Sequence, residues 1–216
     1  MKLFIDFDDV LFNAKKFKTD LINIFIKNGV SKLEFENSYY SFRKKDQALG
    51  KYYDLKKQIS ALKKIKRLDH EKLANELADF TANLESYVFS DVKIFLEKFP
   101  KKDLFLVTYG HEKFQKLKIK NSDLKKYFSQ IIITKNYKAD DIEDVSKKQK
   151  FSLDEKIILI DDRPDQIEKV KEQNEKVVTF RLRRKEGRYK DLICKNTDYE
   201  IKNLKEALKI IEEINS

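Results

Sequence analysis

The chain has 216 residues, 41% of them hydrophobic and 39% charged, with only 4 Gly and 2 Pro. This composition excludes a disordered chain and describes a helix-rich protein with one core and a smaller inserted or appended unit. A single cysteine, Cys194, excludes an internal disulfide or a multi-cysteine metal site. A formal charge of +10 raises nucleic acid as a partner class. It is not favoured, because the lysines are interleaved with acids through nearly every helical segment and there is no Trp.

The first segment, KLFIDFD over residues 2–8, is a short apolar run ending in carboxylates, the pattern of a buried strand that delivers acids at its carboxyl end. Interrupted by aspartates, it is no signal peptide, and no later run has the length of a bilayer span; a cytoplasmic protein without a membrane partner is expected. Apolar positions at helical spacing follow. Leu21, Ile22, Phe25 and Ile26 mark a helix ending near Asn28-Gly29. Phe35, Tyr39 and Phe42 mark a second, and Tyr52, Leu55, Ile59, Leu62 and Ile65 a third. Asp69 caps a fourth, which carries Leu73, Leu77, Phe80 and Leu84 and has Glu71 in its first turn. The chain returns through Ser90–Phe99 to Pro100.

Strand character resumes at Asp103–Thr108, Gln130–Thr134, Lys156–Asp161 and Lys176–Phe180, each separated from the next by a helical segment. Alternating strands and helices predict an α/β, Rossmann-like parallel sheet covered on both faces. The core is expected over residues 1–12 and 90–216, with a helical insertion over 13–89. The tail, Ile201–Ile214, has the pattern of an amphipathic helix packed on the core.

Ligands of parallel α/β sheets bind beyond the carboxyl ends of the strands. The residues placed there are Asp6, Asp8 and Asp9 from the first strand, Thr108, Tyr109 and Gly110 from the second, and Asp161 and Asp162 from the fourth. So many carboxylates at one edge call for a cation, and oxygen-only donors suit Mg²⁺. Such an ion would also screen a phosphate from an attacking carboxylate.

The segments LFIDFDDVL, LFLVTYG, ITKNYKADDI and IILIDDRPDQI, in this order, resemble the motifs of the haloacid dehalogenase-like (HAD) superfamily over essentially the whole chain. The resemblance implies a HAD-like core with a helical type 1 cap and the activity of its phosphatase branch. It makes Asp6 the nucleophile that forms an aspartyl-phosphate, and Asp8 the acid that protonates the leaving oxygen and then activates water. It makes Asp6, the Asp8 carbonyl and Asp162 ligands of Mg²⁺, with Asp161 orienting neighbouring groups. Thr108, with Tyr109 and Gly110 at the start of the next helix, would bind phosphate. Two lysines compete for the neutralising role; Lys138, directly before the helix near Ala139, is preferred to Lys135. Asp161 stands where a glycine is frequent in the family, which leaves the role of Asp165 open. An acid at position 8 favours phosphate transfer over dehalogenation, since a leaving halide needs no proton. A covered site implies a small phosphorylated metabolite, such as a nucleotide or sugar phosphate. A phosphotransferase or mutase on the same residues, and a non-catalytic nucleic-acid binder on this scaffold, are the alternatives.

Several further residues have ordinary structural readings. His111 and His70 read as solvated helix-start residues, with contact to a substrate as the alternative for His111. Tyr39, Tyr40, Phe42, Tyr52 and Tyr53 read as bundle core in preference to a pocket for a planar group. The Lys56, Lys57, Lys63, Lys64, Lys66, Arg67 run and the Arg181–Lys190 segment read as solvated surface, with binding of additional phosphates as the alternative. Oligomeric state has no signature in the chain.

Overall fold

The computed structural model describes residues 1–40, 53–65 and 67–215, with the side chain of Tyr40 excepted. Phe42, Tyr52 and Lys66 therefore lie outside the described residues. Six parallel strands form one sheet in the order β3-β2-β1-β4-β5-β6, with β1 at Lys2–Ile5, β2 at Leu104–Tyr109, β3 at Gln130–Thr134, β4 at Ile157–Asp161, β5 at Val178–Leu182 and β6 at Tyr199–Ile201. The α/β reading is correct, with three differences in detail. The first strand ends at Ile5 rather than running to Asp8, because the chain turns sharply there: Asp9 is in the left-handed region at φ 63° and both Leu11 and Phe12 donate to the Phe7 carbonyl at 2.9 Å. β5 lies two residues further on than the apolar run at 176–180 suggested. β6 is a three-residue edge strand, Tyr-Glu-Ile, with no apolar run to mark it, and it takes Ile201 from the expected tail helix, which begins at Leu204.

Both faces of the sheet are covered, which is why its central strands are continuous apolar runs. Alternate side chains point to opposite faces. Leu3, Ile5, Leu106, Ile158, Ile160 and Phe180 enter one core with the helices of the insertion and the C-terminal helix. Phe4, Phe105, Val107 and Leu159 enter the other, where Ala139, Ile142 and Val145 of α7 (Lys138–Lys148) and Val170 of α8 (Pro164–Gln173) cover them.

The segment between β1 and β2 is helical among the described residues: α1 (Ala14–Lys27), α2 (Lys32–Tyr40), α3 (Leu55–Leu62), α4 (His70–Ala82) and α5 (Val92–Leu96). The cap at Asp69 forms as its residue type predicts, its carboxylate accepting from Lys72 N at 2.9 Å, and Asp54 does the same for Lys57 N at 3.2 Å. The two crossings between sheet and insertion run side by side, with Asn13 N donating to Tyr87 O at 2.7 Å and Phe89 N to Leu11 O at 3.1 Å. After β2 come α6 (Glu112–Asn121) and, at the end of the chain, α9 (Leu204–Asn215).

One buried ion pair ties these parts together. Asp91, at the start of α5, accepts from Arg184 Nη2 at 2.8 Å, Arg184 Nη1 at 3.2 Å and Leu204 N at 2.8 Å, while Arg184 Nε donates to the Val10 carbonyl at 2.9 Å. The insertion's return, the loop after β5, the turn after β1 and α9 thus meet at one guanidinium. Removing one member leaves the other buried and unpaired, so Asp91→Ala should cost about 3–5 kcal/mol in a denaturant titration. The exposed Lys147–Glu143 pair on α7 gives the contrast, with loss on Glu143→Ala of no more than about 0.5 kcal/mol.

Candidate functional site

In the strand order observed, the connections after β1 and β4 leave the sheet in opposite directions, and this divergence opens a crevice at the carboxyl ends of those two neighbouring strands. Asp6 follows β1, Asp161 ends β4 and Asp162 follows it. All three are buried, and one carboxylate oxygen from each lies within 4.8 Å of the others. Lys138, the first residue of α7 and fully buried, places its ammonium 2.6 Å from Asp6 Oδ1 and 2.5 Å from Asp161 Oδ2. Its main-chain N–H is fixed by Gln166 Oε1 at 2.9 Å. Lys135 is exposed and takes no part in this cluster.

The three carboxylates differ in what satisfies them. Asp161 receives Lys138 and, through its other oxygen, Arg163 N at 2.9 Å. Asp6 has one oxygen on Lys138. Neither oxygen of Asp162 has a partner, although both are buried. Burial, then Asp6, Asp161 and Asp9, push the Asp162 carboxyl well above its ordinary range. Burial is also the largest influence on Asp6; Lys138 opposes it and Asp161 adds to it, and the carboxyl is raised to about 7. Lys138 is disfavoured as a cation by burial, yet Asp161 and Asp6 outweigh this and hold its proton more firmly than usual. Three acids against one ammonium leave a deficit of positive charge in a dry place. An unsatisfied carboxylate in such a setting fits a hard divalent cation, with Asp6 and Asp162 as side-chain donors and Asp161 already committed to protein donors. Asp165 is not part of it: it is exposed and takes a two-point contact from Arg163, at 3.0 and 2.6 Å.

Asp8 has its own lysine. Lys118, buried on α6, donates to both Asp8 oxygens at 2.6 and 2.9 Å, and Gln115 Nε2 donates to Asp8 Oδ2 at 3.1 Å. Burial works against the Asp8 charge, but Lys118, Arg188 and Gln115 prevail and lower its carboxyl below the usual range. The same Gln115 amide lies 2.9 Å from Thr108 Oγ1 and 3.1 Å from the Tyr109 carbonyl, so one side chain links the acid after β1 to the hydroxyl at the end of β2. Gly110 makes room for it: a Cβ there would meet Gln115 Cγ at 2.9 Å. Thr108 is itself buried, and the N-terminus of α6, at Glu112, follows shortly after Gly110. Neither Lys118 nor Gln115 was singled out in the sequence. Their signal is that both fall on the buried face of α6 with Ile119, where apolar residues are the rule.

These residues line one cleft of about 970 Å³ between the sheet edge and the helices of the insertion. Tyr39 and Tyr53 belong to both readings made of them, since they stack with centroids 4.8 Å apart in the main core and also line the cleft. His111 is not a freely solvated residue: its Nε2 lies 3.3 Å from Asp54 Oδ2 of the insertion. His70 likewise is partly buried, with Nε2 3.1 Å from the Ile65 carbonyl. Lys56, Lys57, Lys63 and Lys64 are exposed, and Arg67 pairs with Glu34 at 2.5 Å. The Arg181–Lys190 segment divides. Arg181 is buried against Glu200 and Arg184 against Asp91, whereas Gly187, Arg188, Tyr189 and Lys190 line the cleft.

The unsatisfied Asp162 generates a stability test. In EDTA, at a pH high enough to ionise Asp162, Asp162→Asn should stabilise the protein by about 1 kcal/mol or more, because an amide costs less to bury than an unpaired charge. A carboxyl raised in the folded state contributes stability that is present at low pH and lost as pH rises through its folded value. Wild type in EDTA should therefore weaken between about pH 4 and pH 7, following Asp6. Mg²⁺ should raise the thermal midpoint of wild type near neutral pH and leave that of Asp162→Asn unchanged, as read by calorimetry.

No protein-family model matches the chain, and no curated protein matches its sequence. Solved structures match its fold over nearly their full length. A protein from Burkholderia xenovorans assigned as a haloacid dehalogenase-like hydrolase shares 15% identity at a TM-score of 0.74, covering 98% of this chain and 96% of that one. YfnB from Bacillus subtilis, assigned as a HAD hydrolase and bound to magnesium, shares 16% identity at a TM-score of 0.62, with 97% of each chain covered. L-2-haloacid dehalogenase from Xanthobacter autotrophicus, with chloropropionic acid covalently bound, shares 12% identity at a TM-score of 0.60, with 98% of each covered. The chain has the fold of the haloacid dehalogenase-like hydrolases.

Proposed function

We propose that this chain is a Mg²⁺-dependent phosphomonoester hydrolase in which Asp6 is the nucleophile, and that its substrate is a small phosphorylated metabolite. The fold is shared by dehalogenases and other hydrolases and does not decide between them. The observation that carries the reading is Asp8: a second carboxylate lines the cleft beside Asp6, held in place by Lys118 and Gln115. Displacement of a halide needs no proton, whereas an alkoxide leaving a phosphate does.

Asp6 keeps Oδ1 on Lys138, and Oδ2 makes no hydrogen bond to a described residue, so Oδ2 is the oxygen available for attack on phosphorus. Asp6, Asp162 and the Asp8 main-chain carbonyl would hold Mg²⁺, whose charge offsets the repulsion between carboxylate and phosphate. Lys138 and the Thr108 hydroxyl bind the phosphoryl oxygens as negative charge shifts toward the leaving group; that both line the cleft with Asp6 supports this. Asp8 rests as a carboxylate, the form that takes a proton from water in the second step. A phosphate dianion arriving beside it raises its affinity for the proton that the leaving oxygen then receives. The insertion, residues 13–89, acts as a cap: His111–Asp54 and the contact of Tyr53 with Phe114 at 5.1 Å join it to α6, and closure keeps bulk water from the phosphoryl group.

The test is phosphate release from a panel of sugar phosphates, nucleotides and phosphorylated short-chain acids with Mg²⁺. Wild type should turn over at least one member, and Asp6→Asn should lose at least about a thousandfold in kcat. Asp8→Asn should lose about a hundredfold or more in kcat with KM changed far less. Chloride release from 2-haloacids in place of phosphate release would overturn the reading.

A further inference from the structure

The cleft holds a cation that the steps above do not use. Arg188 lies in the loop after β5, and its side chain is 45% exposed. Its Nε donates to Asp9 Oδ2, and its main-chain N–H reaches the same oxygen at 3.4 Å. Asp9 is fully buried in the left-handed turn after β1, a rigid anchor for one edge of the guanidinium. The other edge is free: neither Nη1 nor Nη2 makes a hydrogen bond to a described residue. A guanidinium fixed by Nε presents its remaining N–H groups as a planar fork suited to a carboxylate or phosphate.

The position of that fork indicates which part of a substrate it meets. Arg188 lines the same cleft as Asp8 and Asp162, and its charge bears on Asp9, Asp8 and Asp162; it thus stands beside the acid that, in the proposed reaction, serves the leaving group. The transferring phosphoryl group has Lys138 and Thr108 already. Tyr189 stands between two arginines, its ring 5.5 Å from both the Arg163 and Arg188 guanidinium carbons, which holds this wall of the cleft in shape. Arg163 is neutralised by Asp165. Lys190 is half-buried in the same wall, and its ammonium makes no hydrogen bond or ion pair to a described residue, so it adds positive charge to a wall that also carries Glu186 and Asp191.

We propose that Arg188, supported by Lys190, is a second anion subsite that binds a carboxylate or phosphate on the alcohol portion of the substrate. The preferred substrate is then a phosphomonoester with a further negative charge a few atoms from the bond that is cleaved. The inference rests on the hydrolase reading for the identity of the reacting group, so its test separates binding from turnover.

Binding is measured by isothermal titration on Asp6→Asn with Mg²⁺, using two pairs. In the first, 3-phosphoglycerate is set against glycerol 3-phosphate, which replaces the carboxylate by a hydroxymethyl group. In the second, fructose 1,6-bisphosphate is set against fructose 6-phosphate. The doubly anionic member of at least one pair should bind about tenfold tighter, the size expected for charge-assisted hydrogen bonds. Which pair shows the preference identifies carboxylate or phosphate as the group recognised. Adding Arg188→Met should bring that ratio to about one, and Lys190→Met, which removes no hydrogen bond or ion pair to a described residue, should lower it by about threefold. Equal binding or none in both pairs, or a ratio untouched by both substitutions, overturns the subsite. Wild-type turnover is followed separately: a binding preference that depends on Arg188 with no phosphate released supports the subsite and counts against the hydrolase.

Discussion

Three buried carboxylates at one sheet edge share a single ammonium, and the architecture around them follows from that imbalance. β1 and β4 are neighbours in register, so Asp6, Asp161 and Asp162 must converge. Left alone they would repel each other in a medium that screens poorly. Lys138 is brought from the start of α7 to stand between two of them, and the third, Asp162, is left without a partner. A folded protein keeps an orphaned buried acid only where something else completes it, which is why the cluster is the natural seat for a divalent cation.

Two acids only two residues apart are then given opposite characters by two different helices. Asp6, buried and beside Asp161, is raised to about 7, and Asp8, though buried, is clasped by Lys118 and Gln115 from α6 and lowered. Separating the proton affinities of adjacent carboxyls is how one site obtains a nucleophile and an acid/base partner from the same residue type. The turn that makes this separation is itself costly, because Asp9 adopts a left-handed conformation. Its fully buried carboxylate and the Arg188 guanidinium hold that turn from the far side of the cleft.

The parts legible in the sequence were those with dense local signals. Apolar runs located β1, β2, β3 and β4, those of β1 and β4 leading into acids, and Asp69 located the start of α4 to the residue. The convergence of Asp6, Asp8, Thr108 and Asp162 at one sheet edge followed from strands alternating with helices, Lys138 followed from the resemblance to the family's motifs, and the strand order is given by the structure alone. What was missed is long-range and polar. Lys118 and Gln115 sit in FQKLKIK, which reads as an ordinary basic helix until its buried face is known. Arg184 and Arg188 look like surface charge in RLRRKEGRYK, and only the tertiary fold reveals that Asp91 and Asp9 await them. Periodicity marks where apolar side chains go; it carries little information on which buried acid a distant lysine or arginine will meet.

The claim on which the account stands is that Asp6 carries the phosphoryl group. The measurement is peptide mass spectrometry of protein quenched in acid during turnover with Mg²⁺. The account predicts a phosphoryl group on the peptide that contains Asp6, present with Mg²⁺ and absent with EDTA. Phosphate released while that peptide stays unmodified, or a phosphoryl group captured on another residue, would contradict it.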